Sequence, residues 1–371
     1  MRVCHLSSVH RQEDPRIFHK ECCSLSNAGY EVYLITKGKT YDKKGVHIIG
    51  IESAGETRLK RMLGTTKNLY KKAVELNADV YHAHDPELLP VLMKLKRRGK
   101  TVIFDSHENT IATIDERTYW PKTIRKIVRV FYDKYQTHVC RRVDAVVTAT
   151  PNITDYFKSL GCKRVIDLCN FPALEPFNPP DYSSRTLVFA GGISRQWNHE
   201  SIIEALEEIE DVHYQLCGFG DSAYIDLLQE KEGWKKVNYL GMIPFEQVAI
   251  ALQQSSVGMA LLTPGGNTDW ENGNMANTKI FEEMMAGLPV ICTGFTRWKE
   301  FIEKYECGIC VNPKDKQQIS EAITELINDP AKAEIMGHNS RKAVEEVFNW
   351  GHEEGKLINL YSEIEREVNY G

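Results

Sequence analysis

The sequence predicts an α/β protein of two domains, each a doubly wound parallel sheet with helices on both faces. Three observations predict it. Short apolar runs alternate with helical stretches through the first half of the 371-residue chain, the pattern of parallel strands covered on both sides. A second series of such runs begins at Leu187. Between them, residues 171–180 (FPALEPFNPP) hold four prolines, which cannot continue a sheet ladder and mark a linker. A chain of this length is also too long for one ordinary core.

In the first half, residues 3–6, 31–36, 46–51, 80–83, 101–105 and 145–148 read as strands, and 17–28, 89–96 and 124–142 as helices. In the second half, residues 187–190, 213–217, 237–240, 257–261, 290–293 and 308–311 read as strands. A helix opens at Asn277 or Thr278, both good N-caps, stops at Gly287 and feeds the strand at Val290. From about Trp350 a polar amphipathic helix runs to the end of the sequence. The expected division is a first domain over 1–170, a linker over 171–184, a second domain over 185–349 and a terminal helix over 350–371. No short-period repeat is present; the halves repeat an architecture rather than a sequence.

With 42% hydrophobic and 26% charged residues, the composition fits a soluble globular enzyme. No apolar run approaches the roughly 20 residues that span a bilayer. The sequence starts directly in a strand-like run, so no signal peptide is expected, and ten scattered cysteines suit a reducing cytoplasm better than a disulfide framework. The lone Cys307-Gly-Ile-Cys310 reads as part of a buried strand.

The net charge of −5 hides an asymmetry: residues 1–175 carry 30 Lys and Arg against 20 Asp and Glu, and residues 176–371 carry 16 against 31. Two basic stretches dominate the first half, Arg58, Lys60, Arg61, Lys67, Lys71 and Lys72, and Arg117, Lys122, Arg125, Lys126, Arg129, Lys134, Arg141 and Arg142. In the second, Trp120, Ile124, Ile127, Val128, Phe131 and Tyr135 recur at helical spacing. Such a helix fits an anionic membrane surface, where each basic residue contributes roughly 1 kcal/mol. It fits equally a core-packed helix with a solvated basic face. Nucleic acid is not an expected partner.

The helix at 277–287 carries the first chemical signal. Lys279 sits in its first turn, where a cation is unfavourable unless an anion is bound there as well. Free backbone N–H groups at a helix start bind phosphate. Glu282, three residues on, shares the Lys279 face and can accept from ribose hydroxyls. Together they suggest a nucleoside diphosphate; the bland alternative is an amphipathic helix with a surface lysine.

The run from Lys279 to Ile291 (KIFEEMMAGLPVI) resembles the donor-site signature of glycosyltransferase family 4. Residues 80–89 (VYHAHDPELL), 104–108 (FDSHE) and the glycine turn Leu216-Cys217-Gly218-Phe219-Gly220 resemble three further family segments. The resemblance implies the GT-B fold, two Rossmann-like domains facing a central cleft. It implies a retaining, metal-independent transferase that needs no cofactor, moving a sugar from a nucleoside-diphosphate donor, UDP- or GDP-linked. The acceptor would be a glycan or a lipid-diphosphate-linked chain in bacterial surface polysaccharide synthesis. The expected location is cytoplasmic, with peripheral attachment to the inner face of the plasma membrane. In this fold the terminal helix commonly crosses back onto the N-terminal domain.

Carried over residue by residue, the resemblance makes His107 the group that contacts the donor sugar. Gly191, Gly192, Gly218, Gly220, Ile243, Asn277, Thr278, Lys279 and Glu282 become donor-binding residues. Glu282 is the second Glu of the family's Glu-x7-Glu motif; the first is Asn274 here, which can hydrogen-bond a sugar hydroxyl but cannot act as an anion. Gly192 and Trp197 stand where many relatives have Arg and Lys aimed at the phosphates, and Arg195 in the same loop is the replacement candidate. On the acceptor side stand His84, Asp85 and Glu108 at strand ends. Arg16 and Lys20, in the D-x-R-I-F-x-K-E run from Asp14 to Glu21, are candidates for a diphosphate. No Asp-x-Asp occurs at a plausible strand end, so no metal ligands are assigned. Two alternatives stay open: a non-catalytic nucleotide- or glycan-binding subunit, which Asn274 and Trp197 would suit, and a sugar-nucleotide 2-epimerase on the same fold. An NAD-dependent dehydrogenase lacks its G-x-G-x-x-G after the first strand.

Overall fold

The structure, a computed structural model, describes residues 1–52, 55, 64–115 and 120–370. Arg58, Lys60, Arg61 and Arg117 of the basic stretches lie outside the described residues. The chain forms two compact units, one of Met1–Asn170 with Gly351–Gly371 and one of Phe171–Trp350.

The first unit is built on strands β1 (Arg2–Leu6), β2 (Glu31–Lys37), β3 (Tyr41–Lys43), β4 (Val46–Ile51), β5 (Val80–Ala83), β6 (Thr101–Ser106), β7 (Ala145–Thr148) and β8 (Val165–Asp167). They form one sheet in the order β3-β4-β2-β1-β5-β6-β7-β8, parallel except where β3 meets β4. The interior strands are buried along most of their length because both faces are covered; Leu6, Tyr81, Phe104 and Val146 share one core. The sequence reading missed β3 and β8, both three residues long and at the sheet's edges, too short to show a period.

Strand order reverses between β1 and β5, and ligands in such sheets bind beyond the carboxyl ends at that point. The segment after β1 is wound unusually. Expected as one helix, it starts as wide turns at Ile17–Cys22 before α1 (Cys23–Asn27). Asp14 sets them up: its Oδ1 accepts from the N–H groups of Arg16 and Ile17, and its carbonyl accepts from Phe18 and His19. The Glu21 N–H donates to the Arg16 carbonyl at 3.0 Å, five residues back, which lays both side chains inward.

Two more helices of this unit matter below, α2 (Leu89–Lys96) and α3 (Lys122–Cys140). Only the end of α3 is buried, at Gln136, Val139 and Cys140; Ile124, Ile127 and Phe131 are 48%, 56% and 72% exposed. A core-packed α3 is therefore not what forms. No helix among the described residues is long and apolar enough to cross a membrane.

The second unit holds β9 (Thr186–Ala190), β10 (His213–Cys217), β11 (Val237–Gly241), β12 (Val257–Ala260), β13 (Val290–Thr293) and β14 (Gly308–Val311). Their order is β11-β10-β9-β12-β13-β14, all parallel, with the reversal between β9 and β12. Helix α4 (Thr278–Met285) precedes β13. The last helix, α5 (Trp350–Tyr370), returns the chain to the first unit. There Leu357, Leu360, Tyr361 and Ile364 are buried, Glu353 Oε2 accepts from the Cys169 N–H at 2.8 Å, and Lys356 Nζ reaches Asp167 Oδ2 at 2.7 Å.

Candidate functional site

In the first unit the ends of β1, β5 and β6, with the turns after β1, bring seven ionisable side chains into one network. Asp105, at the end of β6, is its anion. Its carboxylate takes two Arg16 guanidinium bonds at 3.2 Å, and its Oδ2 lies 3.3 Å from His84 Nδ1 and 3.2 Å from His107 Nε2. Burial would raise its pKa, but Arg16, His107 and His84 outweigh burial and hold it well below the usual carboxylate range. Glu21 is the opposite case. Burial and the neighbouring Asp105 charge push its pKa well up despite Arg16 Nε at 3.0 Å. Arg16 stays charged, because Asp105 and Glu21 outweigh the cost of burying it.

His84 Nδ1 and His107 Nε2 are hydrogen-bonded to each other at 3.1 Å with Asp105 Oδ2 within reach of both, and beside a carboxylate, which can only accept, His84 Nδ1 is a donor. His84 Nε2 is then an acceptor, and His5 Nδ1, 2.8 Å away, is its donor. Burial lowers the pKa of His84 to about 4 against the pull of Asp105, and lowers His5 and His82 well below the ordinary histidine value. These three are neutral spacers; His107, 17% exposed at its side chain, is the member that reaches solvent. His82 Nδ1 pairs with Tyr361 OH of α5 at 2.9 Å. His5, Glu21, His82 and His84 offer ligand atoms within 4.8 Å of one another, close enough for a cation, but both His84 nitrogens are already engaged.

This arrangement corrects several expectations. Arg16 is buried and spent on Asp105, Glu21 and the Leu168 carbonyl, so it supports the network rather than offering itself to an acceptor. Lys20 is tied to the Asn170 carbonyl and side chain. His84 is buried, and Asp85 is buried as the anchor of the loop after β1, taking bonds from Ser7 Oγ, Ser8 N and Oγ, and Val9 N. Glu108 is exposed in the loop after β6. His10, held by Asp14 at 3.1 Å, stacks obliquely on His107 with ring centroids 4.9 Å apart.

In the second unit the cluster forms around the start of α4. Lys279 Nζ and Glu282 Oε2 are 2.8 Å apart on one face. Asn277 opens the helix without a side-chain capping bond. The stem of Lys279 lies over Gly191, where a Cβ would come within 2.9 Å of Lys279 Cε. Gly218 has φ +138°, and a Cβ there would fall 1.8 Å from the Gly191 carbonyl oxygen, so only glycine fits between these two loops. Gly192 has open space where a Cβ would be, and Gly220 bridges to Ile193. Ile243 packs on Ala190, Cys217 and Ala251, beside the ends of β9 and β10.

Two candidates sit differently from expectation. The Arg195 guanidinium is held by Glu200 at 2.7 Å and lies 4.7 Å from the Tyr224 ring centroid, with its side chain exposed. Asn274 is buried; its Oδ1 accepts from the Ala276 N–H at 3.0 Å, and its carbonyl accepts from Trp298 Nε1 at 2.8 Å. It therefore shapes the loop before α4.

Family profiles match both units: "Glycosyltransferase Family 4" over residues 16–168 and "Glycosyl transferases group 1" over residues 173–343. The chain belongs to glycosyltransferase family 4. This glycosyltransferase is similar in fold to sucrose-phosphate synthase from Thermosynechococcus elongatus, with a TM-score of 0.77 at 16% identity over 98% of each chain. It is similar also to the Anabaena protein HepE solved with UDP-glucose, with a TM-score of 0.70 at 14% identity over 98% of this chain and 100% of that one. At such identities the likeness shows the GT-B fold alone. A 62-residue segment is 40% identical to the capsular polysaccharide biosynthesis glycosyltransferase CapM of Staphylococcus aureus, spanning 17% of this chain and 16% of that protein.

The sequence reading of this glycosyltransferase overlooked His5, His10, His82 and Tyr361. One signal was available for the first strand-borne pair. His82 and His84 are two apart in an otherwise apolar strand end, hence on one face, and a buried polar face demands partners. Tyr361 carried no such signal, because its partner is 279 residues away.

Proposed function

We propose that this glycosyltransferase moves a sugar from a nucleoside-diphosphate donor to a glycan or lipid-diphosphate-linked acceptor, with retention of anomeric configuration and without a divalent metal. The observation that carries the reading is the pairing at the start of α4: a cation and a carboxylate 2.8 Å apart, beside a glycine-lined backbone. A departing diphosphate accumulates negative charge, and Lys279 with the first-turn N–H groups of α4 is the group that would stabilise it. In that state Lys279 exchanges Glu282 for phosphate, which frees Glu282 to accept from ribose hydroxyls. A second candidate group lies in the first unit. His107, oriented by Asp105, holds a hydroxyl or bears positive charge that Asp105 offsets, the role of a carboxylate behind an imidazole. Retention follows from same-face attack, in which the leaving phosphate takes the acceptor proton.

Relatives support the donor class. HepE is solved with UDP-glucose, and CapM is named for capsular polysaccharide biosynthesis. Helix α3, apolar on one side and basic on the other, supports a peripheral station on the inner face of an anionic membrane, where a lipid-linked acceptor resides.

The test is a thermal-shift screen against nucleoside diphosphates and their sugar conjugates, since a ligand that binds only the native state raises Tm. UDP or GDP should raise Tm, and Glu282→Ala should weaken that ligand at least about tenfold, the loss of one or two hydrogen bonds to a charged acceptor. No shift with any nucleotide sinks the proposal. The buried, loop-shaping Asn274 favours one second reading, a non-catalytic binding subunit. That reading gains if a nucleotide binds and no sugar nucleotide is ever turned over or hydrolysed.

A further inference from the structure

Cys292 on β13 and Cys310 on β14 sit directly opposite each other in parallel register, with their Sγ atoms 3.7 Å apart and both thiols free. Neighbouring strands place opposed Cα atoms about 4.8 Å apart, inside the roughly 4.4–6.8 Å a disulfide spans. The motif Cys307-Gly-Ile-Cys310 is not the relevant pair. Three residues apart in extended chain, its two side chains leave opposite faces of the sheet, and the partner of Cys310 comes from the next strand.

The two thiols differ in surroundings. Cys292 is wholly buried, and burial pushes its pKa well up. Cys310 is half-buried and lines an open cavity of about 560 Å3, together with Thr293, Gly294, Lys299 and Lys314. Its pKa is lowered, first because the Cys292 thiol donates to it and then by the Lys299 charge, which together outweigh burial. An accessible thiol of lowered pKa beside a shielded thiol 3.7 Å away is the arrangement of an attacking and a resolving cysteine.

We propose that Cys310 and Cys292 are a peroxide-oxidisable dithiol in the second unit, with Cys310 attacking and Cys292 resolving. The Cys310 thiolate attacks one oxygen of a peroxide; the O–O bond breaks, the sulfur becomes a sulfenic acid, and hydroxide leaves. The Cys292 sulfur then attacks the Cys310 sulfur, the S–O bond breaks, and water leaves with the Cys292 proton. Two thiols are oxidised to one disulfide, and one peroxide is reduced to two waters. The bond joins β13 to β14 at the wall of the cavity, beside Thr293 and Val311. This inference does not depend on which sugar nucleotide the enzyme uses.

The experiment treats the full chain with hydrogen peroxide, removes the peroxide, alkylates the remaining thiols with N-ethylmaleimide under denaturing conditions and maps the peptides by mass spectrometry. Of the ten cysteines, eight should remain alkylatable, with the Cys292 and Cys310 peptides linked and the link reversed by dithiothreitol. In Cys292→Ala the link should vanish and dimedone, a sulfenic-acid trap, should label Cys310. Should that variant not fold, brief peroxide exposure of the wild type in dimedone gives the same label. Ten alkylatable thiols after peroxide, a link from Cys310 to Cys307, or dimedone on another cysteine with Cys310 untouched would each overturn the proposal.

Discussion

Two charges buried in the first unit decide what its histidines do. Arg16 keeps Asp105 ionised, and Asp105 Oδ2 lies 3.2 Å from His107 Nε2, which also pairs with His84 Nδ1 at 3.1 Å. Removing His107 should therefore lower kcat by about 10²-fold or more, the usual worth of a positioned acid–base or charge-bearing group. Nucleoside diphosphate binding, a property of Lys279 and Glu282, should stay within about twofold. His107→Ala with unchanged kcat removes the residue from the mechanism. The same network predicts an acid-labile fold. His84 has a folded pKa of about 4 against an ordinary value of 6.5, so below pH 6.5 the unfolded chain takes up a proton that the folded one refuses. Its contribution is complete above pH 6.5 and is lost as pH falls towards 4, on the order of 3 kcal/mol. Asp105, with its depressed pKa, loses its contribution only below the ordinary carboxylate range, and Glu21, with its raised one, works in the opposite direction. Urea denaturation at pH 7 and pH 5 isolates the histidine: the loss between these pH values should be smaller in His84→Gln than in wild type. Equal losses would refute the assignment.

Among the described elements, α3 keeps most of its length exposed, with burial only at Gln136, Val139 and Cys140 near its end. Ile124, Ile127 and Phe131 lie along one exposed face while Lys122, Arg125, Lys126 and Arg129 occupy the other, and Arg129 is paired with Asp115 at 3.0 Å. Ile127→Ser with Phe131→Ser should leave Tm nearly unchanged, since neither side chain is buried. The pair should cut co-sedimentation with vesicles rich in phosphatidylserine by tenfold or more, two large side chains each forfeiting about 1.5 kcal/mol or more of transfer energy. Equal binding of variant and wild type, or equal binding to neutral vesicles, would exclude a membrane role for α3. Sequence periodicity had exposed the two faces of this helix but not which one was covered, because covering depends on neighbours from elsewhere in the chain. The strands were more readable. β5 and β7 are fully buried on both faces, so composition alone marks them, whereas Tyr41–Lys43 and Val165–Asp167 are short edge pieces with nothing to mark them. The wide turns at Ile17–Cys22 read as ordinary helix, since only the Asp14 bonds to the backbone distinguish them.

At the scale of the molecule the chain completes the second unit and then returns to finish the first, so the first unit's core depends on its most distant residues. The contrast between the two clusters follows from this. Lys279 and Glu282 are three residues apart on one helix, and their pairing is legible from spacing. The histidine network is assembled from β1, β5, β6, the turns after β1 and α5, and no local pattern announces such a set. A chain lacking residues 351–371 puts that dependence to the test. It loses the Tyr361 hydroxyl from His82, the Glu353 carboxylate from the Cys169 N–H, and the buried Leu357, Leu360 and Ile364. Three aliphatic side chains and one aromatic, at about 1.5–3 kcal/mol each, amount to most of the stability of an ordinary domain. Amide exchange of β1 and β5 should therefore accelerate by at least about three orders of magnitude, since 1.4 kcal/mol is tenfold and exchange from the core reports global opening. Exchange of β9 and β12, strands of the second unit, should change far less. Protection in β1 and β5 equal to that of the full chain would mean that the returning helix decorates the first unit without holding it together.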